Sequence, residues 1–105
     1  MKGKMPEAFI AAQHHSEGRL ILAVCDKSSH GKKLEDRGTV LDLSSKFYQG
    51  EEKDAATIEK LMLQAYMIHA VGKNAVATAV KLGLAAKEDV KTVAGVPHVQ
   101  VLVLQ

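Results

Sequence analysis

The sequence predicts an α+β domain, a mixed sheet with two helices packed on it, in the order β-β-β-α-α-β-β. Runs of β-type residues occupy both ends of the chain, near residues 7–25 and 90–105. Between residues 54 and 83 the apolar spacing changes from two to three and four, the helical period. No linker, repeat or low-complexity stretch interrupts the 105 residues. All of them are therefore expected in a single domain, with residues 1–5 a frayed N-terminus.

Glu7 to His14 and Arg19 to Cys25 read as two strands joined by the polar, glycine-ended connector His15-Ser16-Glu17-Gly18, which suits a hairpin. The second strand is apolar on both faces and is expected in the sheet interior. Asp26 opens an irregular, basic loop through Gly31, Lys32 and Lys33, and Thr39 to Leu43 is a short third strand. Ser44 to Gly50 connects, carrying the adjacent aromatics Phe47 and Tyr48. From Asp54, a plausible N-cap, the stripe Ile58, Leu61, Met62, Ala65 and Ile68 predicts a helix ending near Val71-Gly72. A second helix gathers Ala75, Val76, Ala79, Val80 and Leu82 and stops at Gly83. After the polar turn Lys87-Glu88-Asp89, Val90 to Ala94 and the run from Gly95 to Gln105 complete the sheet, the last strand covered on both sides.

Fourteen Lys plus Arg against twelve Asp plus Glu leave a net charge of +2, too little to imply nucleic acid and too little to exclude it. One cysteine permits no internal disulfide and fits a reducing, cytoplasmic setting. The longest apolar run, Leu20 to Cys25, is far below the ~20 residues that cross a bilayer, so no membrane partner is expected. The start, Met1-Lys2-Gly3-Lys4-Met5, lacks the apolar stretch of a signal peptide.

Several short motifs follow one another: Ala23-Val24-Cys25-Asp26, Gly31-Lys32, Phe47-Tyr48-x-Gly50, Val71-Gly72 before an alanine-rich helix, Leu82-Gly83-Leu84, and Gly95-Val96-Pro97-His98-x-Gln100. Taken as an ordered set they resemble the small archaeal family known as domain of unknown function 424. The likeness runs from the second strand nearly to the end. In other members an asparagine often stands two or three residues before the Val-Gly, where this chain has Ile68-His69-Ala70. The resemblance implies a fold and an archaeal origin, and loosely a place near the translation machinery, without an established activity.

The candidate site residues lie at strand ends, where loops build sites. Cys25 is a potential nucleophile or ligand that Asp26 and Lys32 would tune; the plain alternative is a small core residue beside a loop cap. His98 and Gln100 share one strand face and could point into one cleft, or could satisfy neighbouring backbone groups. Gly31, Lys32 and Lys33 lack the full P-loop pattern, yet could meet a phosphate. Lys73, with the free amides at the start of the second helix, could hold an anion. Tyr48 could stack on a base or anchor the connector. No C-x-x-C or H-x-x-x-H spacing occurs, so neither a metal site nor a cofactor is expected.

Three functions fit these features. In the first, an RNA-associated binding module uses Lys27, Lys32, Lys33 and Arg37 for phosphates and His98, Gln100 and Tyr48 for bases. In the second, a small enzyme or ligand-binding protein has its pocket around Cys25, Asp26, Lys32 and His98. In the third, the chain is an interaction subunit that forms a homodimer through an exposed edge strand. RNA or another phosphate-bearing ligand is the favoured partner.

Overall fold

The computed structural model describes residues 8–103, and within them eight strands and two α-helices form an α+β fold. The strands are β1 (Ala8–Ser16), β2 (Arg19–Asp26), β3 (Lys33–Asp36), β4 (Thr39–Asp42), β5 (Glu51–Asp54), β6 (Met67–Val71), β7 (Lys91–Val93) and β8 (Val96–Leu102). The helices are α1 (Ala55–Gln64) and α2 (Lys73–Lys81), with 3-10 turns at Lys46–Tyr48 and Lys87–Asp89. Six strands make one mixed sheet in the order β5-β1-β2-β6-β8-β7, while β3 and β4 pair separately as a hairpin. Only β2 and β6 run parallel; every other neighbouring pair in the sheet is antiparallel. The frayed N-terminus expected at residues 1–5 and the end of the last strand at Leu104 and Gln105 lie outside the described residues.

The β1-β2 turn is Glu17-Gly18, with φ of 54° and 78°, so both central residues are left-handed as a type I′ hairpin requires. Helix α1 starts where Asp54 Oδ1 accepts the amide of Thr57 at 2.9 Å, the expected N-cap. Helix α2 stops at Gly83 (φ 76°), where the Leu84 and Gly83 amides donate to Ala79 and Val80 carbonyls at 3.0 Å each. That pair of bonds is a Schellman cap. Both helices cover one face of the sheet, over a core that includes Phe9, Leu22, Val24, Ile58, Met62, Ile68 and Val99. The opposite face is covered at one end only. There the β3-β4 hairpin and residues 44–50 bury Ala23, Cys25, Leu43, Tyr48 and Val71.

The fold departs from the sequence expectation in four places. Helix α1 ends at Gln64, not near Val71, because Ala65 is already extended (ψ 145°) and the Tyr66 amide bonds Leu20 O at 2.8 Å. Residues 67–71 then alternate as β6, with Ile68 and Ala70 toward the helices and Met67, His69 and Val71 away. Leu34 and Leu41 pair within a β3-β4 hairpin where a loop is expected for residues 26–33 and one strand beyond them. The charged segment Glu51–Asp54 forms the edge strand β5 against β1. Finally, β8 is interior, yet its Gln100 and Leu102 are exposed, because the covering hairpin does not extend over that part of the face.

Candidate functional site

Where the hairpin cover ends, the uncovered sheet face forms a cleft of about 330 Å³. Its floor comes from β6 and β8. Register places His69 opposite Gln100 and Val71 opposite His98, all on the face away from the helices. His69 and His98 are therefore diagonal neighbours on adjacent strands, a spacing that long side chains bridge. Leu41 from β4 and Tyr48 form one wall, and Asp89 and Lys91 the other. Lys91 stands directly across from His98 in the β7-β8 pair.

The wall beside His69 is held by rings. Phe47 stacks on His14 with centroids 4.9 Å apart and planes within 5°, and meets His69 edge-on at 4.9 Å and Tyr48 at 5.1 Å. His14 Nε2 donates to Phe47 O at 2.9 Å, which ties residues 46–48 down to β1. The far end of the hairpin is held by Asp36, whose Oδ2 accepts the Ala94 amide at 3.2 Å. The cleft thus sits beside one cover anchored at two points, over strands β6 and β8.

Burial lowers the pKa of His69, and burial together with the Lys91 charge lowers that of His98. Both rings are therefore neutral at neutral pH, each offering one N–H and one lone pair. Burial raises the Tyr48 pKa, with a smaller push from Cys25, so its hydroxyl stays protonated. Among the described residues Gln100 makes one long contact, Nε2 to Met67 Sδ at 3.8 Å, and its exposed amide faces the cleft. The result is a set of neutral donors and acceptors beside one cation, Lys91, and one anion, Asp89. That set suits binding of a planar polar group next to a negative charge.

Of the residues expected at a site, the structure brings His98, Gln100 and Tyr48 together and separates the rest. Cys25 is fully buried, and burial, then the neighbouring Asp26 charge, push its thiol up to about 11. Val71 lies between Cys25 and His98, so two strand spacings, about 10 Å, part their backbones. A thiol held protonated behind Val71 is core, not a nucleophile. Asp26 points to the opposite face, where its Oδ2 and Oδ1 accept the Asn74 and Ala75 amides at 2.9 and 2.7 Å. Those are the amides at the start of α2 that an anion would have needed, so the chain's own carboxylate fills the phosphate position expected beside Lys73. Lys73 itself is exposed on the helix side. Gly31 (φ 84°) and Lys32 tie their backbone to Leu43, while the Lys32 and Lys33 side chains are exposed and do not line the cleft. Lys27 pairs with Glu52 at 3.0 Å near the other sheet edge.

His69, Lys91 and Asp89 were not singled out by sequence reasoning. The signal for His69 was the alternation Met67, His69, Val71, overlaid by a helical spacing that Ile68 also satisfies. Lys91 could be found only once the β7-β8 register was known. No group of three or more His, Cys, Asp or Glu side chains gathers as a metal site among the described residues. No helix among them is long and apolar enough to cross a membrane.

A family model described as "Protein of unknown function (DUF424)" matches residues 14–104. The chain belongs to this family. A search of curated proteins returned no match. Among solved structures, the chain is similar to an uncharacterized conserved protein from Methanopyrus kandleri. The two are 28% identical, with a TM-score of 0.73, over 93% of this chain and 95% of that one. The DUF424 match covers both cleft strands, β6 and β8, and both covers.

Proposed function

We propose that this DUF424 protein is an RNA-associated binding module whose sheet-face cleft receives one nucleotide unit. The observation that carries the reading is the convergence of His69, His98 and Gln100 on one open sheet face, with Tyr48 in the wall and Lys91 at the rim. Sequence-specific RNA recognition uses single strands whose bases lie against ring faces and hydrogen-bond along their edges, and open sheets supply such platforms. A cleft of about 330 Å³ is at the small end of ligand sites, suited to one base and not to a large cofactor. In this reading the Gln100 amide and the two neutral imidazoles read the base edge, and Lys91 meets the adjoining phosphate. The Methanopyrus neighbour supports an archaeal source.

The pocket of a Cys25-based enzyme does not form, since Cys25 is enclosed and Asp26 faces the helices. A free nucleotide offers the same chemistry as an RNA residue, so the test has two arms. Fluorescence titrations with short single-stranded RNA and with mononucleotides would be run on the wild type and on Lys91→Gln, Gln100→Ala and His98→Ala. RNA affinity should fall about tenfold in each variant, as for loss of an interaction above 1 kcal/mol. It should also weaken with salt at a log–log slope of about −0.7 per phosphate contacted. Mononucleotide binding as tight as RNA binding would make the free nucleotide the ligand. Absence of both at low salt would overturn the reading.

A further inference from the structure

On the other side of the sheet, α2 and the segment 87–90 enclose a second, open groove of about 520 Å³ that the nucleotide reading does not use. Its floor is apolar, with Val76 and Val80 from α2 and Val90 opposite them. Ala77, at an exposed helical position, leaves the groove shallow enough at its centre for a partner backbone to approach. Three lysines rim it. Lys73 and Lys81 mark the two ends of α2, eight residues or about 12 Å apart, and Lys87 stands on the facing wall. Only Lys81 among them has a carboxylate partner among the described residues, the half-buried Glu59 at 3.0 Å.

We infer that this groove docks an acidic amphipathic helix of another protein. An apolar stripe two turns long would fill the valine floor, and its flanking Glu or Asp side chains would meet Lys73, Lys81 and Lys87. The positions match the helix-in-groove mode, in which i, i+3 or i+4, and i+7 residues anchor the ligand. Charge complementarity selects this occupant. Among the described residues a second copy of the chain offers no such element: α1 has one acidic residue, Glu59, already paired with Lys81, and its exposed face carries Lys60 beside Leu63, while the acidic pair Glu51-Glu52 lies in a strand. An anionic membrane surface fits less well, because insertion needs apolar side chains that protrude and here they line a recess.

The test uses the full chain and a fluorescein-labelled peptide of about 16 residues, long enough to hold a helical stripe, with Leu at i, i+4 and i+7 and Glu beside them. Two controls carry Lys in place of Glu, or the same residues with the leucines scrambled off the stripe. The acidic striped peptide should bind more than about tenfold tighter than either control. Ala77→Arg, which fills the groove from an exposed site with a good helix former, should lower that affinity about tenfold, as should the double variant Lys73→Glu/Lys87→Glu. Both should melt within a few degrees of the wild type, and Ala77→Arg should not weaken RNA titration, which separates this groove from the cleft; the double variant, whose net charge falls from +2 to −2, is compared on peptide binding alone. If Ala77→Arg melts early, the lysine double variant alone decides. Equal binding of the striped and scrambled peptides, or of the acidic and basic ones, overturns the inference. So does retention on phosphatidylglycerol vesicles that Ala77→Arg abolishes when the peptide does not bind.

Discussion

Asp26 illustrates how one residue can serve the fold in the place where a sequence suggests chemistry. Asp26 is 6% exposed, and its carboxylate accepts the amides of Asn74 and Ala75 and so caps a helix 48 positions away. Asp26→Ala removes both acceptors from buried amides. It should lower stability by about 2 kcal/mol or more in urea unfolding, at or above the top of the usual cap range. Gly72 belongs to the same device. Its φ of 108° is glycine territory, and a Cβ there would stand 2.5 Å from Asp26 Cγ. Gly72→Ala should therefore cost about 2–3 kcal/mol or more. Combined with Asp26→Ala the two losses should fall short of their sum, since removing the carboxylate relieves the closest contact but leaves the Cβ of residue 26 at 2.8 Å and the backbone strain. The cleft histidines give a different, pH-linked signature. Both His69 and His98 have folded pKa values below the ordinary 6.5, so the unfolded chain binds their protons more readily. Stability is then full above about 6.5 and falls as pH drops from there toward the folded values. Replacing both with Gln should flatten the melting temperature between pH 7 and 5, and an unchanged slope would assign the acid sensitivity to other groups.

At the scale of elements, the three two-residue hairpin turns share a correctable flaw, a non-glycine residue in the left-handed region; in the β7-β8 turn it is Ala94 (φ 51°) before Gly95. Glu17 (φ 54°) and Arg37 (φ 52°) each precede a left-handed glycine in a two-residue turn. Asn tolerates that conformation better than Glu or Arg, so Glu17→Asn and Arg37→Asn should each raise stability by about 0.5 kcal/mol, visible as a higher urea midpoint with unchanged m. The same elements show where legibility ended. Strands with apolar alternation or unbroken apolar runs, such as Arg19 to Cys25, were readable, as were the caps at Asp54 and Gly83, because those signals are local. Strand β5 has only charged residues, Glu51 to Asp54, and becomes a strand solely by pairing with β1. Strand β6 was hidden because Ile68 continued the stripe of α1; what breaks the helix is the bond from the Tyr66 amide to Leu20 O, a contact between residues 46 apart. Losing β6 also hid His69. Half of the cleft could be named, through His98, Gln100 and Tyr48, since polar residues heading an apolar strand stand out. Lys91 and Asp89 reach it through a pairing that no local pattern announces.

The molecule as a whole is one sheet with two unequal covers, and the inequality has a measurable consequence. On the helix side a continuous core that includes Met62 and Ile58 joins strands from β1 to β8. On the cleft side a smaller cluster around Leu43 and Tyr48 is closed by the β3-β4 hairpin and residues 44–50, which are held by Asp36, His14 and backbone bonds to Leu43. Segments with few buried contacts open independently of the whole. Met62 and Leu43 are both fully buried, so truncating either to Ala should cost about 2–5 kcal/mol if unfolding were a single event. Met62→Ala lies in the shared core and should speed amide exchange across all the sheet strands together. Leu43→Ala should instead speed exchange first in residues 33–48, with β2 and β6 still protected, because the hairpin can lift while the helix side stays packed. If the cleft binds a nucleotide unit, the same variant should weaken RNA titration well before its melting temperature is reached, since Leu41 and Tyr48 move with the cover. Uniform exchange in Leu43→Ala would mean that the two covers form one cooperative unit, and the cleft wall would then be as rigid as its floor.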